Sequence, residues 1–414
     1  MKNLKFHILV ILMFIGLATS ANYAQDLSLT GYARNYTGLL LNGDNDFSII
    51  QNTFNLNIEQ SKDIVAYKVN PYMYQYTNRD LEIGLREAYL DIYLNSIDIR
   101  VGKQQIIWGK ADGVFITDIV SPKDLREFLL PDFDEIRMGV NAIKADYYLG
   151  DNTFELVWIP TFTPTLYPDA SSIWQLKPDF PVNPTFDYSK VNVEQSFKNS
   201  EVFGKFSMLT SLIDLEIMGA YAWDDDPTMH AFKQIDPATH TLTGLKIVPE
   251  HHRLTIGGGS FSTTIGPFVL RGEGAYYNGK GFNTTDPTVP DGVVEKDYLH
   301  YLLGTDFTVW DINTSIQFIQ QRILDYDDFI NVDEVQNMAT FLAATDYLNE
   351  TLHLRFFMYY DFENEASLIR PTITYDVSDG FTALLGANIF TGTEGMFGQF
   401  NDNDMIYTKI KYSF

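Results

Sequence analysis

The chain of 414 residues contains no cysteine. That absence excludes a disulfide framework and any thiolate-ligated metal. Beyond the N-terminal apolar run at residues 6–17, no stretch approaches the roughly 18 unbroken apolar residues that a membrane-spanning helix needs. Basic residues are scarce, 29 against 54 acidic, which leaves a net charge of −25. Such a surface repels nucleic acid and other polyanions at long range, so nucleic acid is not an expected partner. No G-x-S-x-G, H-E-x-x-H or phosphate-cradling loop occurs, so no catalytic residue, cofactor or enzymatic activity is expected. The acidic clusters Asp224-Asp-Asp226, Asp325-Tyr-Asp-Asp328 and Asn401-Asp-Asn-Asp404 lack the spacing and glycine of a calcium loop. His251 and His252 open a strand, where adjacent side chains point to opposite faces. No metal site is therefore expected.

What the chain has in abundance is aromatic residues, 30 Phe and 25 Tyr, and alternation. In Met405-Ile-Tyr-Thr-Lys-Ile-Lys-Tyr-Ser-Phe414, one face carries Ile406, Thr408, Ile410, Tyr412 and Phe414. The other carries Tyr407, Lys409, Lys411 and Ser413. This is the period of a strand with one face in apolar surroundings and one in water. Similar segments recur along the chain. Eight short turns join them, among them Gln60-Ser-Lys-Asp63, Gly150-Asp-Asn152, Trp310-Asp311 and Ser378-Asp379. They alternate with nine longer connections, near 42–47, 78–84, 108–138, 161–199, 224–250, 279–296, 324–337, 362–365 and 392–402. The count predicts an all-β fold, a transmembrane antiparallel barrel of about 18 strands, or 16 if one hairpin is misread. Closure hides the edges that such ribbons would otherwise expose.

At the N-terminus, Lys2 and Lys5 precede the apolar run Phe6–Leu17 and the small residues Ala18-Thr-Ser-Ala21. Residues 1–24 read as a secretory signal, cleaved after Ala21 or Ala24, with residues 25–414 forming a single barrel domain. The even strand count places both termini on the short-turn, periplasmic side. A first strand near Leu27 leaves no room for an N-terminal plug.

Parity assigns the faces. Leu352, Leu354, Phe356, Met358 and Tyr360 form an apolar set that faces lipid, which sends His353, Arg355, Phe357, Tyr359 and Asp361 inward. The same counting puts Glu87, Asp91, Asp98, Arg100, Lys144, Asp146, Asp214, Glu216, Arg271, Glu273, Arg370 and Lys409 in a wet lumen of mixed charge. On the lipid face each Arg or Lys would cost about 2–4 kcal/mol at the midplane. Parity conflicts at one place: Ile97, Ile99 and Val101 face lipid, which would carry Lys103 outward. A bulge at Gly102 would turn Lys103 into the lumen; otherwise it must reach the headgroups. The connection 108–138, with Trp108, Asp124 and Arg126, is expected to fold inward as a constriction. Ser121-Pro-Lys-Asp124 reads as the start of a short helix over Leu125–Leu130 that ends at Pro131. Its apolar residues need the barrel mouth for burial.

The C-terminal strand resembles that of bacterial outer-membrane barrels, in which the terminal aromatic, here Phe414, is an assembly signal read by the barrel-assembly machinery. The segment Val101-Gly-Lys-Gln-Gln-Ile-Ile-Trp-Gly109 resembles the G-R-Q-x-x-x-W-G strand end of barrels related to alginate-export porins, with Lys103 in place of the Arg. Pro122-Lys-Asp124 matches the Pro-x-Asp element of their following loop. The resemblance implies an outer-membrane channel in contact with lipid and lipopolysaccharide. The expected function is passive passage of a small hydrophilic or charged solute, or of an exported polysaccharide. The alternative is an occluded barrel that moves a hydrophobic or lipid-like molecule with periplasmic partners.

Overall fold

The computed structural model describes residues 27–42, 46–77, 79–176 and 180–414. The expected signal segment and both cleavage points lie outside the described residues. Eighteen strands form one closed antiparallel barrel. In chain order they begin with β1 (Leu27–Leu40), β2 (Phe47–Lys62), β3 (Val65–Tyr76), β4 (Glu82–Tyr93), β5 (Ile97–Gln104), β6 (Val140–Leu149) and β7 (Asn152–Ile159). After a short strand outside the barrel, β8 (Pro184–Phe186), come β9 (Glu201–Leu209) and β10 (Asp214–Trp223). Two more external strands follow, β11 (Thr228–Ile235) and β12 (Leu242–Glu250). The wall resumes with β13 (Arg253–Ile265), β14 (Phe268–Asn283), β15 (Val293–Val309), β16 (Ile312–Ile323) and β17 (Val335–Tyr347). It ends with β18 (Leu352–Asp361), β19 (Ala366–Ser378), β20 (Phe381–Thr391) and β21 (Met405–Ser413).

The barrel closes where β1 meets β21, from Tyr32 opposite Ser413 to Leu40 opposite Met405. One residue further, Phe414 and Gly31 exchange two backbone hydrogen bonds of 2.9 Å. The alternation holds along β21, where Ile406, Ile410 and Tyr412 are exposed on the outer face while Met405 and Tyr407 are buried inside. The short turns fall where the sequence places them, save that the first closes at Asp63-Ile64 because β2 continues through Gln60, Ser61 and Lys62. At Trp310-Asp311 both central residues have positive φ, 51° and 64°, the backbone that matches the twist of a two-residue hairpin.

Three local expectations are corrected. First, Gly102 forms no bulge: Leu90, Tyr89 and Ala88 face Val101, Gly102 and Lys103 in unbroken register. Lys103 therefore lies on the outer face with Val101, one residue from the loop-bearing end of β5, within reach of the headgroups. It is not a lumen residue. The irregularity sits one hairpin earlier, where Asn70 faces Glu87 but Pro71 faces Leu85. Pro71 has no N–H for the ladder, and the extra residue, Arg86, lets both Arg86 and Glu87 turn inward.

Second, Leu125–Leu130 is a turn rather than a helix. Phe128 adopts φ +54°, which breaks a helix, and wall contacts take the carbonyls of Leu129 and Leu130. The helical turn is displaced to α1 (Phe133–Ile136). Third, connection 224–250, read only as a long link between wall strands, carries two strands of its own: β11 and β12 pair as a hairpin, and β12 takes β8 as a parallel partner. This small sheet ties two long loops together outside the barrel.

Candidate constriction across the lumen

The connection between β5 and β6 enters the barrel and spans it. Along its first half, Ile106, Trp108, Ile116 and Val120 pack on inward residues of the β6–β16 wall, including Val157, Phe203, Met218, Leu254, Leu302 and Ile319. Polar anchors fix this half. Glu273 accepts from the backbone N–H groups of Lys110 and Thr117, each at 3.1 Å, and from the Thr117 hydroxyl. Arg271 donates to the Lys110 carbonyl at 2.8 Å and to the Asp112 carboxylate, and also holds Asp306 and Ser315 of the wall. The Trp108 indole N–H donates to Glu155 at 2.6 Å.

The second half reaches the opposite wall. Phe128, Leu129 and Leu130 enter an aromatic cluster with Trp174, Phe390, Phe397 and Phe400. Trp174 comes from the connection 161–199 and Phe397 from α2 (Gly395–Gly398), so three connections close over one another. Arg370 donates to the carbonyls of Leu129 and Leu130 at 2.9 and 2.7 Å. The Tyr359 hydroxyl donates to the Gly113 carbonyl at 2.7 Å. Arg126 joins Asp124 at 2.6 Å and Glu82 of β4 at 3.1 Å. Glu127 meets Arg79, yet burial outweighs that guanidinium and raises its pKa. Asp132 shows the reverse balance: enclosure within the barrel would raise its pKa, but Lys409 and Arg34 outweigh it and hold the carboxylate below its usual range.

The sequence matches, over residues 16–414, the family described as "Protein of unknown function (DUF1302)". The chain belongs to that family. No curated protein matches it. Among solved structures, it is similar to Pseudomonas aeruginosa OccK2 (OpdF) in complex with glucuronate, at 9% identity and a TM-score of 0.54, over 94% of this chain and 98% of that one. It is also similar to Acinetobacter baumannii OccAB4, at 10% identity and a TM-score of 0.55, over 95% of this chain and 100% of that one. P. aeruginosa OccK8 (OprE) gives 10% identity and a TM-score of 0.54, over 94% and 98%. These likenesses carry the fold, that of outer-membrane porins.

In this DUF1302 chain the crossing loop leaves open space on either side. Toward the short turns lies a cavity of about 430 Å³ lined by Arg34, Arg86, Lys409 and Lys411, with Asp132, Asp134 and Glu135 of the loop facing them. Near the loop-bearing rim, a cavity of about 410 Å³ is lined by Asp224, Asp226, Asp333 and Glu334, with Lys280 as its cation. Four acids against one ammonium make that mouth electronegative.

The other charges singled out by parity sit on the wall. Asp91 receives Arg100 at 2.7 and 3.0 Å, Lys68 pairs with Glu87 at 3.0 Å, and Lys144 with Asp146 at 2.7 Å. Asp98 accepts from the Tyr148 hydroxyl at 2.7 Å. Lys144 and Asp146 are neighbours along β6; the others are ladders between adjacent strands, away from the crossing loop except where Glu87 accepts from the Gln105 N–H. Arg355 faces the lumen beside the Phe357 ring, 5.7 Å away, with no ion-pair partner among the described residues. His251 and His252 diverge: His251 bonds the Asp224 carbonyl, and His252 meets His230 at 2.9 Å. No group of three or more metal-binding side chains occurs among the described residues.

Two features escaped the sequence reading. One is the apolar inner wall under the loop, signalled only by strands such as β10, where both parities are apolar. The other is the basic cluster: Arg34 and Arg86 lie on different hairpins, and no spacing rule joins them to Lys409 and Lys411.

Proposed function

We propose that this protein is a passive channel of the outer membrane, with both termini periplasmic and the β5–β6 loop as its constriction. The supporting observation is that loop: one connection anchored to opposite walls of a closed barrel, with a charged, open cavity on each side. Transport selects by size at the loop and by charge in the two cavities, with no covalent chemistry. The cavity dimensions suit a small hydrophilic or charged solute better than a threaded polysaccharide, because Arg370 and Glu273 hold the loop on both sides. The glucuronate in OccK2, a small carboxylate sugar in a barrel of the same fold, is consistent with this class of solute. On insertion the barrel meets lipid and lipopolysaccharide, and Phe414 serves the assembly machinery.

A second reading, an occluded barrel that moves a lipid-like molecule, draws on the apolar packing of the loop against both walls. Swelling of proteoliposomes separates the two. The channel reading expects fast swelling in arabinose, slower in glucose and almost none in raffinose. Absence of swelling in all three overturns it.

A further inference from the structure

We infer that Arg34, Arg86, Lys409 and Lys411 form a carboxylate-binding site on the lumen wall, occupied here by the loop's own Asp132 and Glu135, for which a soluble dicarboxylate competes. The inference deepens the channel reading, resting on it only in that the solute must reach the lumen.

The wall groups are held chiefly by the barrel. Arg34 is 6% exposed and is held by Gln51 and Thr53 of β2, each at 3.3 Å. Arg86 donates through one terminal nitrogen to the Tyr74 hydroxyl of β3 at 2.7 Å and through the other to the Asp134 carbonyl of the loop at 2.5 Å. The wall hydrogen bonds hold one arm of each guanidinium whichever carboxylate faces it, the preorganisation that favours a bidentate acid.

The present occupant is short and local. Glu135 lies 3.0 Å from Arg34, and Asp132 lies 3.2 Å from Lys409 and 3.8 Å from Arg34. Both acids stand on the stretch between Pro131 and Arg137, whose base is fastened independently. Arg370 holds Leu129 and Leu130, the Asp124 N–H donates to the Ile136 carbonyl at 2.7 Å, and the Met138 N–H donates to the Pro122 carbonyl at 2.8 Å. For the acidic stretch to leave the wall, the bonds of Arg86 and Gln105 to the Asp134 carbonyl and of Tyr32 to Glu135 must also break, while the rest of the crossing stays in place.

The occupancy is also incomplete. Asp132 is 67% exposed on the cavity, so water and solute reach the pair it makes. The Arg34 Nε–H has no hydrogen-bond partner. Lys411 has no ion-pair partner among the described residues and sits 5.5 Å from the Tyr32 ring. Desolvated cations are costly unless paired. The loop acids meet that need when the lumen holds no solute, and a dicarboxylate replaces both at once.

The test is calorimetric titration of the folded, detergent-solubilised barrel with succinate, with succinamide as its uncharged counterpart. Converting the two occupants to neutral isosteres (Asp132→Asn with Glu135→Gln) leaves the four wall cations facing Asp134 alone. Succinate should then bind at least about tenfold more tightly than to the wild type, with succinamide inert. Adding Lys411→Gln to that pair should weaken succinate binding several-fold. Asp132→Asn alone, which leaves the buried Arg34–Glu135 pair intact, should move affinity in the same direction by less, and serves if the double variant fails to fold. Equal affinity in wild type and variants, or equal binding of succinamide, overturns the site. A barrel that binds succinate but passes no solute removes the channel reading and keeps the site; one that conducts without binding succinate removes the site alone.

Discussion

Deleting Phe414 should lower the folded, heat-modifiable protein in the outer membrane by about tenfold or more. The physical ground is the seam. Phe414 supplies the last two backbone hydrogen bonds between the chain ends, and its ring stacks on Phe54 with centroids 6.1 Å apart. Two hydrogen bonds and one aromatic pair are together worth about 2–4 kcal/mol, concentrated where closure begins and where an open edge has no partner in lipid. The ring also lies over Gly31, where a Cβ would come within 2.9 Å of it and would also meet the Asn55 carbonyl. Gly31→Val should therefore give a milder form of the same defect. Normal membrane levels of the Phe414 deletion would show that closure does not depend on the terminal aromatic.

Freeing the crossing loop should have the next largest effect. Glu273→Ala removes the acceptor for three donors of the loop, and a buried donor left without a partner costs about 1–3 kcal/mol. Arg370→Ala strips the carbonyls of Leu129 and Leu130 of their donors on β19. The two anchors grip separate halves of the loop from strands five apart in the barrel, so their losses should add. Trypsin should then cut the folded double variant at Lys110, Lys123 or Arg126 at least about ten times faster than the wild type. Each single variant should fall between, and Glu273→Gln, which keeps a carbonyl oxygen, should lie nearest the wild type. A double variant as resistant as the wild type would mean that apolar packing alone holds the loop.

Much of the fold was legible because a membrane barrel writes its geometry in period two. The lipid face of β18 had to be apolar, so its polar residues had to point inward, and the same logic counted eighteen strands from their turns. The inward path of the loop was also legible, since Phe128, Leu129 and Leu130 had no other burial. Period two fails wherever the chain departs from the ladder. Pro71 moved the irregularity to Arg86, on the strand next to the glycine that invited it, because a missing N–H disrupts pairing more than a missing side chain does. Phe128 took a left-handed backbone that a helix-start signal at Ser121 could not foresee, since Arg370, from a strand more than two hundred residues later, claims the carbonyls. The lumen charges were legible as a set but not as an arrangement. Neighbours such as Asp91 and Arg100 could be paired by counting, whereas Arg34, Arg86 and Lys409 meet only because the barrel closes.

Single-channel conductance of the wild type, compared with a variant in which residues 112–134 are replaced by a short Gly-Ser linker, tests the channel and its constriction in one planar bilayer. The wild type should show discrete openings, and the replacement should enlarge them several-fold while abolishing the contacts of Arg370 with the loop and of Arg271 with Asp112. Silence from both proteins, or the same conductance from both, would contradict a channel whose narrowest point is the β5–β6 loop.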